Sequence, residues 1–371
     1  MTFETSDELN AVRDSLARVL ADHDTPTHRQ ALAGDQTAYA AQAWKEMAGL
    51  GLTGLQVPEA FGGLDFQATD LLPLFHELGR TLTPVPFLST SVLGATALRA
   101  CSDAEVQRKL LPPLAAGALQ VACPHGLAPD ASGVRAQAQG SGWRLEGAHK
   151  HMPYAASADW LVVSARTGDG ADGDICLFLA ARHAPGVRLR PHRLIDGMPA
   201  ADVHLEGAEA TALCTPGSAQ AREAMEAVNA AGIAAACAEM VGAMEAALHL
   251  TVDYVKTRQQ FGRAISENQA LRHRIAEMLV ALETARSMST AAAVAARDGG
   301  FAKVQTRADL HRAKFLVGRN ARTVCQAAIQ LHGGIGMTEE YAVGHYLRRV
   351  HVLDQQFGDG ASHLKQLARV E

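Results

Sequence analysis

The chain reads as an α+β protein of several domains: an N-terminal helical domain over residues 1–118, a middle β-barrel or β-sheet domain over 119–220, and a C-terminal four-helix bundle over 221–371. Three observations predict this. At 371 residues the chain exceeds one ordinary core, since single cores stop growing at roughly 250–300 residues. Apolar positions recur at helical spacing at both ends of the chain, whereas short alternating segments bounded by Gly, Asp and Pro fill the middle. The last third is also rich in alanine on several helix faces, which lets helices approach closely in an antiparallel bundle.

Taken in order, the first candidate helices are Asp7–Ala21, Gln36–Leu50 and Thr69–Gly79, with a Gly- and Pro-broken loop over 51–64. Ser102 and Asp103 offer N-cap chemistry for Ala104–Leu111, and Pro112-Pro113 is expected to stop that helix. Strands are expected at Val134–Gln139, Trp143–Glu146, Trp160–Ala165, Ile175–Ala180, Val187–Pro191 and Ala201–Leu205, with TGDGADGD at 167–174 as a loop. After Pro216-Gly217 come helices at Arg222–Arg258, Asn268–Ala296, Val304–Leu331, Glu340–Val352 and Ser362–Val370. The stretch AVNAAGIAAACAEMVGAMEAAL has the composition of a membrane helix, but Glu226, Glu239 and Glu245 interrupt it. A core bundle helix is expected there.

Hydrophobic residues make up 48% and charged residues 20% of the chain, as in soluble globular proteins. The net charge of −5 is modest and dispersed, so neither nucleic acid nor an anionic membrane is indicated as a partner. No uninterrupted apolar run approaches the ~20 residues that cross a bilayer. The N-terminus MTFETSDELNAVRDSL is acidic and amphipathic, unlike an export signal, and the six cysteines are scattered without a CxxC pair. Both features suit the cytoplasm. His149 and His151 flank Lys150, but with no carboxylate or cysteine at ligand spacing a partly exposed strand or turn is expected and no metal.

The most informative segment is QLHGGIGMTEEY at 330–341, in which an apolar helix runs into Gly333, Gly334 and Gly336 and then into a helix start at Thr338-Glu339-Glu340. Such glycines let backbone N–H groups approach a ligand, and a helix N-terminus favours an anion. A plain helix C-cap would leave the same glycine pair. A second segment, RQQFGRAISENQA at 258–270, supplies Arg258, Phe261-Gly262 and Gln269. Arginine is suited to paired hydrogen bonds with a diphosphate, Phe261 offers an apolar face to an adenine or a flavin edge, and Gln269 and Gln330 are neutral donors and acceptors. Two more segments, VPEAFGGL at 57–64 and ELGRTLTPVPF at 77–87, stand upstream.

In this order the segments resemble the signatures of the acyl-CoA dehydrogenase family, R-x-x-F-G…Q and Q-x-x-G-G-x-G, preceded by V-P-E-x-x-G-G-L. The resemblance spans the whole chain. It implies the three-domain order given above, an FAD cofactor, an acyl-CoA substrate, and electron-transfer flavoprotein as a possible acceptor. It also implies that Arg258, Phe261, Gly262, Gln269, Gln330, Gly333 and Gly334 bind the cofactor, reaching across a dimer interface to a neighbour's flavin.

The chain departs from the family where the chemistry would occur. The usual reaction needs a carboxylate to take the α-proton while the β-hydrogen leaves as hydride. Alignment to the Y-E-G-T-like stretch puts Phe357 of QQFGDGASHL at the base position, and the alternative position on the long bundle helix falls on Gly232. The T-E-P-x-x-G-S-D loop corresponds to ACPHGLAPDAS at 122–132, keeping only Pro124 and Asp130. The K-x-W-I-T-N-G strand corresponds to HKHMPYA at 149–155, with His151 for the Trp and Pro153 for the Thr. No catalytic residue is therefore assigned. The pattern matches small subunits of bacterial heteromeric acyl-CoA dehydrogenases, whose tails resemble YAVGHYLRRVHVLDQQFGDGASHL, and implies a second dehydrogenase subunit in a heterodimer or α2β2 assembly. Two alternatives stand beside it. One is a self-sufficient dehydrogenase with a displaced base at Asp354, Asp359 or Glu239, although Asp354 is expected to pair with Arg348 or Arg349 and Asp359 to be a turn residue. The other is a flavin monooxygenase or oxidase on the same scaffold, which needs no such base.

Overall fold

A computed structural model describes residues 6–24, 31–32, 34–124, 126, 133–140, 142–168 and 173–370. Its order is helical, then β, then helical again, as the sequence pattern predicts. Packing groups the chain into two compact units: residues 1–67, 84–232 and 300–302 in one, and 68–83, 233–299 and 303–371 in the other. The division falls inside one long helix.

In the first unit, helices α1 (Asp7–His23) and α2 (Ala41–Gly49) precede the 51–64 loop. Ser6 caps α1 by accepting the Leu9 N–H at 3.2 Å. The second helix begins later than the expected Gln36. The Asp35 carboxylate accepts both the N–H and the hydroxyl of Thr37 at 2.8 Å, and this local turn holds the chain out of helix until Ala41. Within the loop, Gly63 is required by close packing, because a Cβ there would overlap the Val57 carbonyl.

The prolines also behave differently from expectation. The helix Ala104–Ala115 runs through Pro112 and Pro113. Leu110, Leu111 and Leu114 bury its last turn, while Thr53 Oγ1 donates to the Ala115 carbonyl at 2.7 Å and Trp44 Nε1 to that of Gly117 at 3.0 Å. Those partners satisfy carbonyls left open where the helix ends.

Seven strands follow: β1 (Val121–Ala122), β2 (Val134–Gln139), β3 (Gly142–Pro153), β4 (Trp160–Thr167), β5 (Ile175–Ala181), β6 (Val187–Arg193) and β7 (Pro199–Ala212). Their order is β1-β4-β2-β3-β7-β5, with β6 added on β7. Because β4 also pairs with β5, the path β4-β2-β3-β7-β5 closes on itself as a barrel. Closure removes the open edges of a sheet.

In the second unit, the helix Ala68–Arg80 crosses the part of Ala219–Thr257 that belongs to the same unit. A Cβ on Gly242 would overlap the His76 carbonyl and one on Gly79 the Glu239 carbonyl, so these glycines serve a tight helix crossing. The Ala219–Thr257 helix is long and apolar enough to span a membrane, but 83% of its most apolar stretch is buried within the protein, as the core-helix expectation requires. Helices Gln269–Arg297, Val304–His332, Val343–Gln355 and Gly360–Val370 complete the unit. All six cysteines are buried and free. Burial pushes the thiols of Cys237 and Cys325 up to about 12, so they are packing groups at neutral pH.

Candidate functional site

The long bundle helix ends at Thr257, and Arg258 still donates its N–H to the Tyr254 carbonyl at 2.8 Å. A two-stranded hairpin follows, Gln259–Gln260 against Arg263–Ala264. Its two-residue turn is Phe261-Gly262, with φ of 53° and 79°. Positive φ at both central positions is the type I′ geometry, for which Asn-Gly is favoured and phenylalanine is strained by roughly 1 kcal/mol. Phe261 is 100% exposed. The strain therefore serves no contact within this chain. The hairpin base is braced: Asn268 Nδ2 donates to the Ile265 carbonyl at 3.0 Å and Arg272 Nε to that of Ser266 at 2.7 Å. Gln269 opens the next helix on the exposed side.

The second segment ends its helix at His332 and turns through Gly333 at φ 64°, ψ −137°, a region open only to glycine. A Cβ on Gly333 or Gly334 would meet nothing of this chain within 4 Å, whereas one on Gly336 would meet His332 Cβ and the Ile329 carbonyl at 3.0 Å. His332 joins the two segments. Its ring stacks on Tyr254 at 4.5 Å and lies 4.9 Å from Tyr341. Burial holds the imidazole below its usual pKa against the pull of the Ala328 and Leu250 carbonyls, so the ring in the stack is neutral. Gln330 lines a cleft of about 340 Å³ with Arg274, Glu277, Met278 and Gln326. No role for His332 followed from sequence alone, although its place inside the Q-x-x-G-G segment was the available signal.

The helix expected at Thr338 or Glu340 begins instead at Val343. Thr338 bonds back to the Ile335 carbonyl through its N–H at 3.1 Å and its hydroxyl at 3.0 Å, and Glu339 is drawn to Arg348 at 2.6 Å. The anion site foreseen at that helix N-terminus is therefore displaced from the glycines.

Arg258, Phe261, Gly262, Gln269, Gln330, Gly333 and Gly334 are all exposed, and Arg258 makes no ion pair among the described residues. An unpaired guanidinium, an uncovered aromatic face and unobstructed glycine backbone are the groups that a diphosphate-linked dinucleotide takes. Such a ligand would approach from outside the surface this unit covers itself.

The turn at Phe357 has the opposite character. Phe357 is 8% exposed, at φ 60°, and is followed by Gly358 at φ 99°. Beneath it the wholly buried Lys314 donates to the carbonyls of Asp354 at 2.7 Å and Gly358 at 3.0 Å. Burial lowers the pKa of that ammonium, opposed by Cys237, Asp354 and Asp359. Asp354, 1% exposed, pairs with Arg322, and not with Arg348 or Arg349 as expected. Those two arginines are taken by Glu339 and Glu239. Gly318 makes the room, since a Cβ there would overlap Asp354 Oδ1. A lysine at position 314 on the same helical stripe as Leu310, Val317, Ala321 and Val324 was the sequence signal for this buried network.

The remaining carboxylates are also engaged. Glu239 is buried and accepts from Arg349 Nε at 2.7 Å. Asp359 accepts the Ser362 N–H at 2.8 Å at the start of the last helix, and bonds from Ser362 hold its pKa below the usual carboxylate range. His311 Nδ1 and His363 Nδ1 lie 2.8 Å apart beside the turn. Burial pushes His311 down to about 4 and His363 down to about 3, with Arg307 acting on the first and Lys314 on the second. Gly232 is a buried position of the long helix. In the other unit, Pro153 ends β3 and His151 sits exposed on it, while Asp130 lies outside the described residues.

Residues 6–118 match the family model of the acyl-CoA dehydrogenase N-terminal domain, and residues 221–371 that of the acyl-CoA dehydrogenase C-terminal domain. Acyl-CoA dehydrogenase FadE27 of Mycobacterium tuberculosis is 25% identical over 374 residues, covering 99% of this chain and 97% of the relative. The solved structure of a variant of the Tcur3481-Tcur3483 steroid ACAD is 29% identical, with a TM-score of 0.87 over 98% of this chain and 97% of that one. The ChsE4-ChsE5 complex from Mycobacterium tuberculosis shares the fold at a TM-score of 0.89, with 23% identity over 100% of this chain and 98% of that one. The helical, barrel and helical order, the hairpin and glycine-turn segments and these matches agree: the chain belongs to the acyl-CoA dehydrogenase family of flavin-dependent oxidoreductases.

Proposed function

We propose that this chain is one subunit of a heteromeric FAD-dependent acyl-CoA dehydrogenase, with a partner subunit that supplies the catalytic carboxylate. In this role Arg258, Phe261, Gly262, Gln269, Gln330, Gly333 and Gly334 are lent to a flavin shared across the interface. Bound FAD would accept the β-hydrogen of the acyl-CoA as hydride. Arg258 would hold its diphosphate, and Phe261 would cover the adenine or the dimethylbenzene edge. The assembly would be a heterodimer or α2β2, working in the cytoplasm with electron-transfer flavoprotein as acceptor.

The observation that carries this is the state of the acids around Phe357. A general base needs a free lone pair and a pKa near the working pH. Phe357 offers none, Asp354 is 1% exposed and paired through Oδ2 with Arg322, Glu239 is buried against Arg349, and Asp359 is held low by Ser362. The displaced-base alternative is left with Asp354 Oδ1, which has no hydrogen-bond partner among the described residues but is sealed from solvent and belongs to a carboxylate already paired with Arg322. The two-chain names of the steroid ACAD and of the ChsE4-ChsE5 complex support a heteromeric reading.

The test is expression of the chain alone and together with an acyl-CoA dehydrogenase chain that keeps a Y-E-G-T-like glutamate. The lone protein should carry little flavin, and the co-expressed assembly should hold FAD and oxidise acyl-CoA. A lone protein that purifies yellow and reduces a dye with an acyl-CoA overturns the proposal. In the assembly, D354N, D359N and E239Q should leave turnover unchanged in protein of matched fold.

A further inference from the structure

On the barrel, β3 pairs with β7 through His149↔Val203 and resumes at Met152↔Ala201, so Lys150 and His151 together oppose Asp202. This is a β-bulge, which bends a strand and re-aims a side chain. His151 sits in it at φ 55°, with its N–H donating to Asp202 Oδ1 at 3.0 Å. On the other side of β7, β6 pairs Arg190↔Asp202 and His192↔Ala200. With a side-chain period of two, His192 and Asp202 share a face.

Three residues distant in sequence are therefore brought together. His151 Nδ1 lies 2.9 Å from His192 Nε2 and 3.8 Å from Asp202 Oδ1. One ligand atom from each residue falls within 4.8 Å of the others. The imidazole rings stand edge to face at 86°. His192 Nδ1 is 3.3 Å from the Arg190 carbonyl and donates to it, which leaves Nε2 as the bare nitrogen facing the cluster. A metal-binding histidine typically has its second nitrogen held by such a carbonyl.

We propose that His151, His192 and Asp202 bind one divalent transition-metal cation of zinc-like chemistry on the barrel surface. Two imidazoles and a carboxylate are a donor set for borderline cations, and metal–ligand lengths of about 2.0–2.2 Å bring neighbouring donors to roughly 3 Å. His151 is 64% exposed, so water can complete the coordination. The ion would tie β3, β7 and β6 together at the bulge. Sequence spacing gave no hint because His192 and Asp202 come from other strands. The inference does not rest on the heteromer proposal.

The full chain, freed of any tag and of metal by chelation, is titrated with zinc sulfate by calorimetry. One zinc per chain is expected, with affinity at least tenfold weaker in H151A, H192A and D202N. Zinc should raise the thermal midpoint of the wild type and not that of H192A. Cobalt should give a visible d–d spectrum that H192A loses. If D202N misfolds because the bulge loses its anchor, H192Q of matched circular dichroism replaces it. Failure to find saturable one-to-one binding overturns the proposal. So does undiminished affinity in H192Q, which would mean an adventitious ion only.

Discussion

The hairpin tip at Phe261 and the turn at Phe357 each hold a phenylalanine in left-handed backbone, with φ of 53° and 60°. They differ in everything else. Phe261 is wholly exposed at the tip of a braced hairpin, while Phe357 is buried over a lysine and an ion pair. Strain that no internal contact compensates points outward to something the chain meets, and strain anchored by buried polar groups belongs to the fold. The residues proposed to hold a flavin lie in the first setting. The position proposed for the base lies in the second, sealed.

The largest effect should come from unsealing the turn. R322A leaves the Asp354 carboxylate buried without its partner, which should cost about 3–5 kcal/mol in urea unfolding. A loss below about 1 kcal/mol would mean the turn is not locked as described. Next, R258A should weaken flavin binding in the assembled enzyme about tenfold or more, read by fluorescence titration, since charge-assisted bonds to phosphate carry about 1.5–3 kcal/mol. It should leave the stability of the lone chain unchanged, because Arg258 makes no internal ion pair among the described residues.

Protonation gives a smaller, graded effect on the buried side. Burial lowers His76 to about 4, His311 to about 4 and His363 to about 3, from an ordinary 6.5. The unfolded chain therefore binds these protons more tightly. Their contribution is full above pH 6.5 and is lost as the pH falls through the window from 6.5 to about 3–4. At pH 5.5 each should cost about 1 kcal/mol, so denaturation midpoints should fall with acid and fall less in H363Q. The smallest effect separates strain from binding. F261N should stabilise the lone chain by up to about 1 kcal/mol by suiting the turn, yet weaken flavin retention in the assembly. An equal loss in both would remove the contrast.

Much of this was legible in the residues. The strand at Val134–Gln139 and the helix beginning at Val304 were readable because period and punctuation agreed there. The start of Ala41–Gly49 and the passage through Pro112 were not, because the Asp35–Thr37 turn decided the first and tertiary burial of Leu110, Leu111 and Leu114 the second. The seven exposed motif residues could be named from spacing. Their common exposure could not, nor could the partner of Asp354, which is set by helix packing around Gly318. The metal-ligand cluster was hidden for a similar reason: register across three strands has no local sequence signature.

The bare ring of Phe261 has a cost for the cell as well as a use. Together with Met337 and Ile335, which are also exposed, it leaves oily surface on the lone chain. In the proposed heteromer, solubility would depend on balanced production of both polypeptides, and an excess of this one would be material for aggregation or for chaperones that grip unassembled chains.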